Sequence, residues 1–123
     1  MAYRTPRVDV LIHFLYRDEP DVARFQSGLV TLGNKAKPSY AAFELPLAQI
    51  ARSGARVTLW GQLRAPGAGS TARLERQVGR AWRTLATVRR GAGGYYRWSG
   101  SLPAGTNVRV HAGAITGAPL TLT

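Results

Sequence analysis

Arg56-Val57-Thr58-Leu59-Trp60-Gly61-Gln62-Leu63 alternates with a period of two. Val57, Leu59 and Leu63 fall on one side, with Gly61 between them. A strand with one buried face reads this way, because successive side chains of extended backbone point to opposite faces. The pattern recurs downstream. Residues 71–78 alternate around Ala72, Leu74 and Arg76, and Gly79-Arg80 supplies a hairpin turn. Residues 82–88, 95–99 and 107–111 read as further strands, and 120–123 as a last one. Glycine- and proline-rich turns such as Pro66-Gly67-Ala68-Gly69-Ser70 separate them. Short strands spaced by about 10–15 residues and divided by turns indicate a small antiparallel sandwich or barrel.

The preceding residues have another character. Residues 8–16, VDVLIHFLY, are rich in β-branched and large apolar side chains and read as a strand buried on both faces, as in a parallel sheet. Arg17-Asp18-Glu19-Pro20 ends it. Asp21 is placed to cap a helical turn over 22–25, and Gly33-Asn34 marks a turn. Lys37-Pro38-Ser39 opens a helix that runs to Leu45, where Pro46 stops it. A doubly buried strand with no parallel neighbour cannot cover itself. The boundary between the two parts is placed at 46–53, giving 1–46 as a strand-loop-helix piece and 54–123 as the β-sandwich.

Seventeen Lys+Arg against six Asp+Glu give a net charge of +11. Fifteen of the cations are arginine and are scattered along the chain. Such a field attracts nucleic acid or acidic polymers, and scattered arginines also serve as ordinary strand surface. With no cysteine, disulfides, thiolate nucleophiles and Cys-ligated metals are excluded. The two histidines, His13 and His111, are far apart and lack neighbouring ligands, so neither a metal nor a cofactor is expected. Gly91-Ala92-Gly93-Gly94 lacks the Lys-Ser/Thr and helix of a phosphate loop. No apolar run reaches a membrane span. Asp9 and His13 interrupt the first apolar stretch, which makes a poor signal peptide.

The string Gly28-Leu29, Gly33, Lys37-Pro38, Tyr40, Ala42-Phe43, following residues 8–20, resembles the end of the catalytic (β/α)8 barrel in glycoside hydrolases related to the cellulase and xylosidase families. The resemblance covers about residues 8–45. Trp60-Gly61-Gln62, Trp82 and Gly94-Tyr95-Tyr96 resemble, more loosely, the Ig-like or fibronectin-like modules appended to secreted actinobacterial glycosidases. The implied fold is mainly β: an Ig-like antiparallel β-sandwich preceded by a terminal β/α fragment of a TIM barrel. The implied function is that of the C-terminal part of a secreted glycoside hydrolase, giving structural support or carbohydrate contact. Retaining glycosidases use two carboxylates about 5 Å apart. The resemblance puts both on earlier barrel strands, so no catalytic residue is assigned in this chain.

Barrel active sites lie at the C-terminal ends of the strands. That implies sugar contacts for Tyr16, Asp18 and Glu19. The other reading of Asp18-Glu19 is a charged turn with Arg17 paired to Glu19. Trp60, Trp82, Tyr95, Tyr96 and Trp98 either fill the core or form an aromatic surface for sugars or bases; Tyr96 and Trp98 are the expected surface residues. Expected partners are carbohydrate and the remainder of a barrel, with no membrane. A basic β-domain that binds nucleic acid or acidic glycans is the alternative.

Overall fold

Alternation fixes which side of each strand meets the core, and the core in turn selects the register. In the computed structural model, which describes Arg7 and residues 12–123, the chain forms two units, Met1–Tyr40 and Ala41–Thr123. Helix α1 (Pro38–Glu44) carries the chain from one to the other. It begins at the proline and stops two residues before Pro46, as that residue's missing N–H requires.

The second unit is mainly β. Its strands are β1 (Leu47–Ser53), β2 (Arg56–Gln62), β3 (Thr71–Val78), β4 (Ala81–Arg89), β5 (Tyr95–Ser101), β6 (Asn107–Ala112), β7 (Ile115–Thr116) and β8 (Leu120–Thr121). They build two antiparallel sheets. One has the order β1-β2-β5; the other has the order β4-β3-β6-β7, with β8 also paired to β6. The inner faces supply Val57, Leu59 and Tyr96 from the smaller sheet, and Ala72, Leu74, Val88, Val108 and Val110 from the larger. Leu59, Leu74, Val57, Val108 and Val110 are fully buried. Truncating Leu59 or Leu74 to Ala therefore costs about 2–5 kcal/mol.

Strand β1 occupies the residues expected to form a boundary. Its register shifts between Gln49 and Ala51, so Ile50 is an inserted bulge residue. A bulge breaks the period of two, which hides the strand from a pattern reading. Gln49 and Arg52 fasten this strand to the chain end. The Gln49 side chain donates to the Thr123 carbonyl at 2.9 Å and accepts from the Thr123 N–H at 3.1 Å. Arg52 donates to Thr123 O and Leu102 O. A second bulge lies in β4, where Leu85 is inserted opposite Leu74/Glu75. β4 forms the outer border of the larger sheet.

The first unit contains no strand longer than an isolated bridge among the described residues. Arg17 pairs in parallel with Val30, and Val30 antiparallel with Ala36. Of the expected strand 8–16, residues 8–11 lie outside the described residues. Residues 12–16 are not in a strand, and Leu15 has φ 72°. A positive φ turns a β chain out of line, and among the described residues no strand pairs with 12–16. The described residues therefore do not show a TIM-barrel fragment. The Asp21 cap is present: its side chain accepts from Ala23 N at 2.9 Å, closing a turn.

Candidate functional site

Two surfaces gather the chemistry singled out in the sequence. In the first unit, Asp18 is buried beneath the loop 25–30. Its Oδ1 accepts from Lys37 Nζ at 2.6 Å and from Gly28 N at 3.0 Å. Lys37 also donates to Gln26 O at 2.8 Å, and its backbone N–H donates to Leu29 O. Gly28 is required here, because a Cβ on it would lie 2.5 Å from Asp18 N and 2.6 Å from Arg17 C. Gly28, Leu29 and Lys37 of the resemblance string therefore form one local knot around Asp18. Arg17 does not pair with Glu19; the ion pair of this turn is Asp18–Lys37.

This knot changes what Asp18 can do. A carboxylate with 8% side-chain exposure, already held by an ammonium and an amide, positions a loop and offers little to a sugar. Asp21 is likewise engaged, with Arg24 at 3.6 Å. Glu19 is half-buried, beside Ala23, Arg24 and Phe25 in a shallow hollow. Its carboxylate has no hydrogen bond or ion pair among the described residues. Tyr16 is exposed and meets Tyr40 edge-on at 6.4 Å. Of the three expected sugar contacts, Tyr16 and Glu19 are accessible and Asp18 is not. Ile12, Phe14, Val22 and Phe25 are also exposed, between 60% and 82%.

In the second unit the expected aromatic surface is shifted by one residue. Tyr96 is 5% exposed and Trp98 packs against the core. The reason is Gly61, which stands opposite Tyr96 in the β2–β5 ladder. A Cβ on Gly61 would come within 2.1 Å of the Tyr96 hydroxyl oxygen, so the glycine makes room for an inward ring. Burial pushes the Tyr96 phenol above its usual pKa. Its hydroxyl has no hydrogen-bond partner among the described residues. On the smaller sheet the outward aromatic residues are Trp60 and Tyr95, whose ring centroids are 5.5 Å apart at 35°.

The outer face of the smaller sheet carries Thr58, Trp60 and Gln62 from β2 in register with Ser99, Arg97 and Tyr95 from β5. Ala48 and Ala51 flank them on β1. Thr58 and Ser99 hydroxyls are 3.0 Å apart. Gln62 donates to Gly93 O and accepts from Arg64 Nε at 2.6 Å. No acidic residue occurs in β1, β2 or β5.

The outer face of the larger sheet is a closed polar network instead. Glu75 takes Arg109 at 2.8 Å and Arg73 at 3.7 Å. The Arg109 guanidinium lies 4.2 Å over the Trp82 ring. Asn107 joins Gln77 to Thr121, and His111 meets Thr116 at 3.0 Å. These groups satisfy one another. At the end of the β3–β4 hairpin the opposite situation holds: Arg76 stands directly across from Arg83, and neither forms an ion pair among the described residues.

Comparison with protein-family models, with curated proteins and with solved structures gives no match. The chemistry of the two surfaces must therefore carry any functional reading. Among the described residues, no group of three His, Asp or Glu side chains is placed to hold a metal ion. No helix among them is long and apolar enough to cross a membrane.

Proposed function

We propose that this chain is the C-terminal part of a secreted glycoside hydrolase, in which residues 1–46 end a (β/α)8 barrel and the β unit is an Ig-like module for structural support and carbohydrate contact. The observation that carries this reading is the first unit's surface. Ile12, Phe14, Val22 and Phe25 stand in solvent beside a loop locked by Asp18, Gly28 and Lys37. Exposed apolar groups on a locally rigid frame mark a surface that another protein segment covers. The Ig-like assignment is supported by the strand order, in which β5 crosses back to pair with β2 while β6 pairs with β3. That crossing connects two packed sheets in the Greek-key manner of Ig sandwiches.

The test is to follow the native polypeptide that carries this sequence, using an antibody against the chain. A secreted protein that co-purifies with glycosidase activity is the expected result. Occurrence only on a small intracellular polypeptide overturns the reading.

A second reading is a basic β-domain for nucleic acid or acidic glycans. The composition of Ala41–Thr123 favours it: eleven arginines, no lysine, and only Glu44 and Glu75 as acids. Its affinity must then fall steeply with added salt.

A further inference from the structure

We infer that the end of the β3–β4 hairpin is an arm that grips the sugar–phosphate backbone of double-stranded DNA, with Arg76, Arg83 and Arg80 as its phosphate-binding groups. The inference deepens the second reading above and rests on it for a polyanionic partner.

The arm begins where the sheet narrows. β6 pairs with β3 only from Arg73 to Arg76, whereas β4 follows β3 as far as the Val78–Ala81 pair. Past Arg76 the ladder of β3 is therefore two strands wide. Gly79 and Arg80 close it. Gly79 has φ 61°, and a two-residue hairpin loop needs a positive φ at its first position. A Cβ on Gly79 would meet nothing within 4 Å, so the tip stands clear of the other described residues.

Side and exposure part company along β3. Ala72, Leu74, Arg76 and Val78 share one side of the strand, because extended backbone alternates. Ala72 and Leu74 are buried in the core, yet Arg76 is exposed and Val78 is 50% exposed. Their ladder partners Arg83 and Ala81 are exposed too. The hairpin thus carries its inward side past the end of the core and offers it to solvent.

Two cations meet on that side. Arg76 and Arg83 are directly opposite, which places their Cβ atoms about 5 Å apart and makes them repel. An anion seated between the two guanidiniums relieves the repulsion and accepts hydrogen bonds from both planar forks. Arg76, Arg80 and Arg83 have no hydrogen bond, ion pair or ring contact among the described residues. The one acid of the two strands, Glu75, lies on the opposite side and is held by Arg109 and Arg73.

Dimensions and side-chain type select a duplex. The major groove of DNA, about 12 Å wide and 8.5 Å deep, admits a two-stranded β-ribbon. From Arg76 to Val78 the ribbon advances about 7 Å, at ~3.4 Å per residue, before its turn. With the tip in the groove, the Arg76/Arg83 pair falls level with the rim, where the phosphates lie. Single strands are held instead by stacking of bases on exposed aromatic rings. This side of the ribbon presents Arg76, Val78, Ala81 and Arg83 and no ring. Trp82, the ring of the hairpin, lies on the other side against the Arg109 guanidinium.

The experiment is fluorescence-anisotropy titration of the full chain with three probes: a short mixed-sequence DNA duplex, oligo-dT of the same length, and polygalacturonate. The wild-type chain should bind the duplex best. Each phosphate contact adds about 0.9 to the fall of log affinity with log salt, which is worth about eight-fold at ~0.1 M relative to 1 M. Arg76→Gln and Arg83→Gln should therefore each weaken duplex binding about eight-fold at ~0.1 M NaCl and flatten the salt dependence by about 0.9. Arg56→Gln, exposed on the other sheet, should change neither. Arg83→Glu, which removes the cross-strand repulsion, should melt higher than wild type and yet bind the duplex more weakly than Arg83→Gln; a merely structural role for Arg83 predicts that the more stable variant binds as well as wild type. Equal affinity and equal salt dependence in wild type, Arg76→Gln and Arg83→Gln overturn the site while the basic-domain reading stands. Tighter binding of oligo-dT or of polygalacturonate overturns the choice of partner. Failure of the wild type to bind any of the three at low salt removes the basic-domain reading itself, and the inference with it.

Discussion

Replacing Tyr96 by Phe should make the protein more stable, although it deletes a polar group from a well-packed site. The Tyr96 side chain is 5% exposed and its hydroxyl has no hydrogen-bond partner among the described residues. Burying a hydroxyl without a partner costs about 1–3 kcal/mol in protein mutational series. Removing the oxygen leaves a small gap against Gly61, which returns a few tenths of a kcal/mol. The net gain is about 1 kcal/mol, or an increase in Tm of roughly 4–8 °C for a domain of this size. Urea or thermal denaturation at pH 7 measures it. The same pair of proteins gives an independent check at high pH. Burial raises the native phenol's pKa above the ordinary value. An unfolded Tyr96 therefore releases its proton from about pH 10 upward while the native one keeps it. The native state then binds more protons than the unfolded state, and stability falls as pH rises. The Tyr96 contribution to stability is complete below about pH 10 and is lost above it, at up to about 1.4 kcal/mol per pH unit. The advantage of Tyr96→Phe over the parent should widen across that range. A Phe variant less stable than the parent at pH 7, or an advantage unchanged up to pH 11, refutes the assignment of an unpartnered hydroxyl.

Three further predictions concern charge. Asp18→Asn weakens the Lys37 pair and one acceptor of the loop, so hydrogen exchange at Gly28 and Leu29 should accelerate by about ten-fold or more. Arg83→Glu converts the Arg76/Arg83 cross-strand repulsion into an attraction. It should stabilise by about 0.5 kcal/mol at low salt, an amount limited by solvent exposure, and the gain should vanish in ~1 M NaCl. In the Glu75/Arg109 pair, a double-mutant cycle with Glu75→Gln and Arg109→Met should return a coupling of about 1 kcal/mol in chemical denaturation; additivity of the two losses refutes the pair's role.

What was legible in the sequence follows from where alternation survives. Residues 56–62 and 71–78 each bury one face against the core, so a period of two reveals them. Strand β1 was unreadable because Ile50 is inserted into it and its composition, apart from that residue, lacks strand formers. The aromatic face was read one residue out of place. Tyr95 and Tyr96 are chemically similar neighbours, and only their register against Gly61 assigns inside and outside. A strand-interior glycine opposite a large ring was the available signal. The burial of Asp18 is hidden from the sequence for another reason. Its partner Lys37 is nineteen residues away, and a local reading weighs only the adjacent Arg17 and Glu19. The helix from Pro38 was legible, since proline both permits its start and forbids its passage beyond Pro46.

The bulge at Leu85 has an effect outside the monomer. It sits mid-way along β4, the border of the larger sheet, between Arg83 and Arg89. A border strand offers its free amides and carbonyls to any passing chain. Here the kink spoils the straight template and the two cations repel an identical border approaching from the side. Crowded preparations of this protein should consequently resist stacking into fibrils, and straightening the border by deleting Leu85 would remove that safeguard.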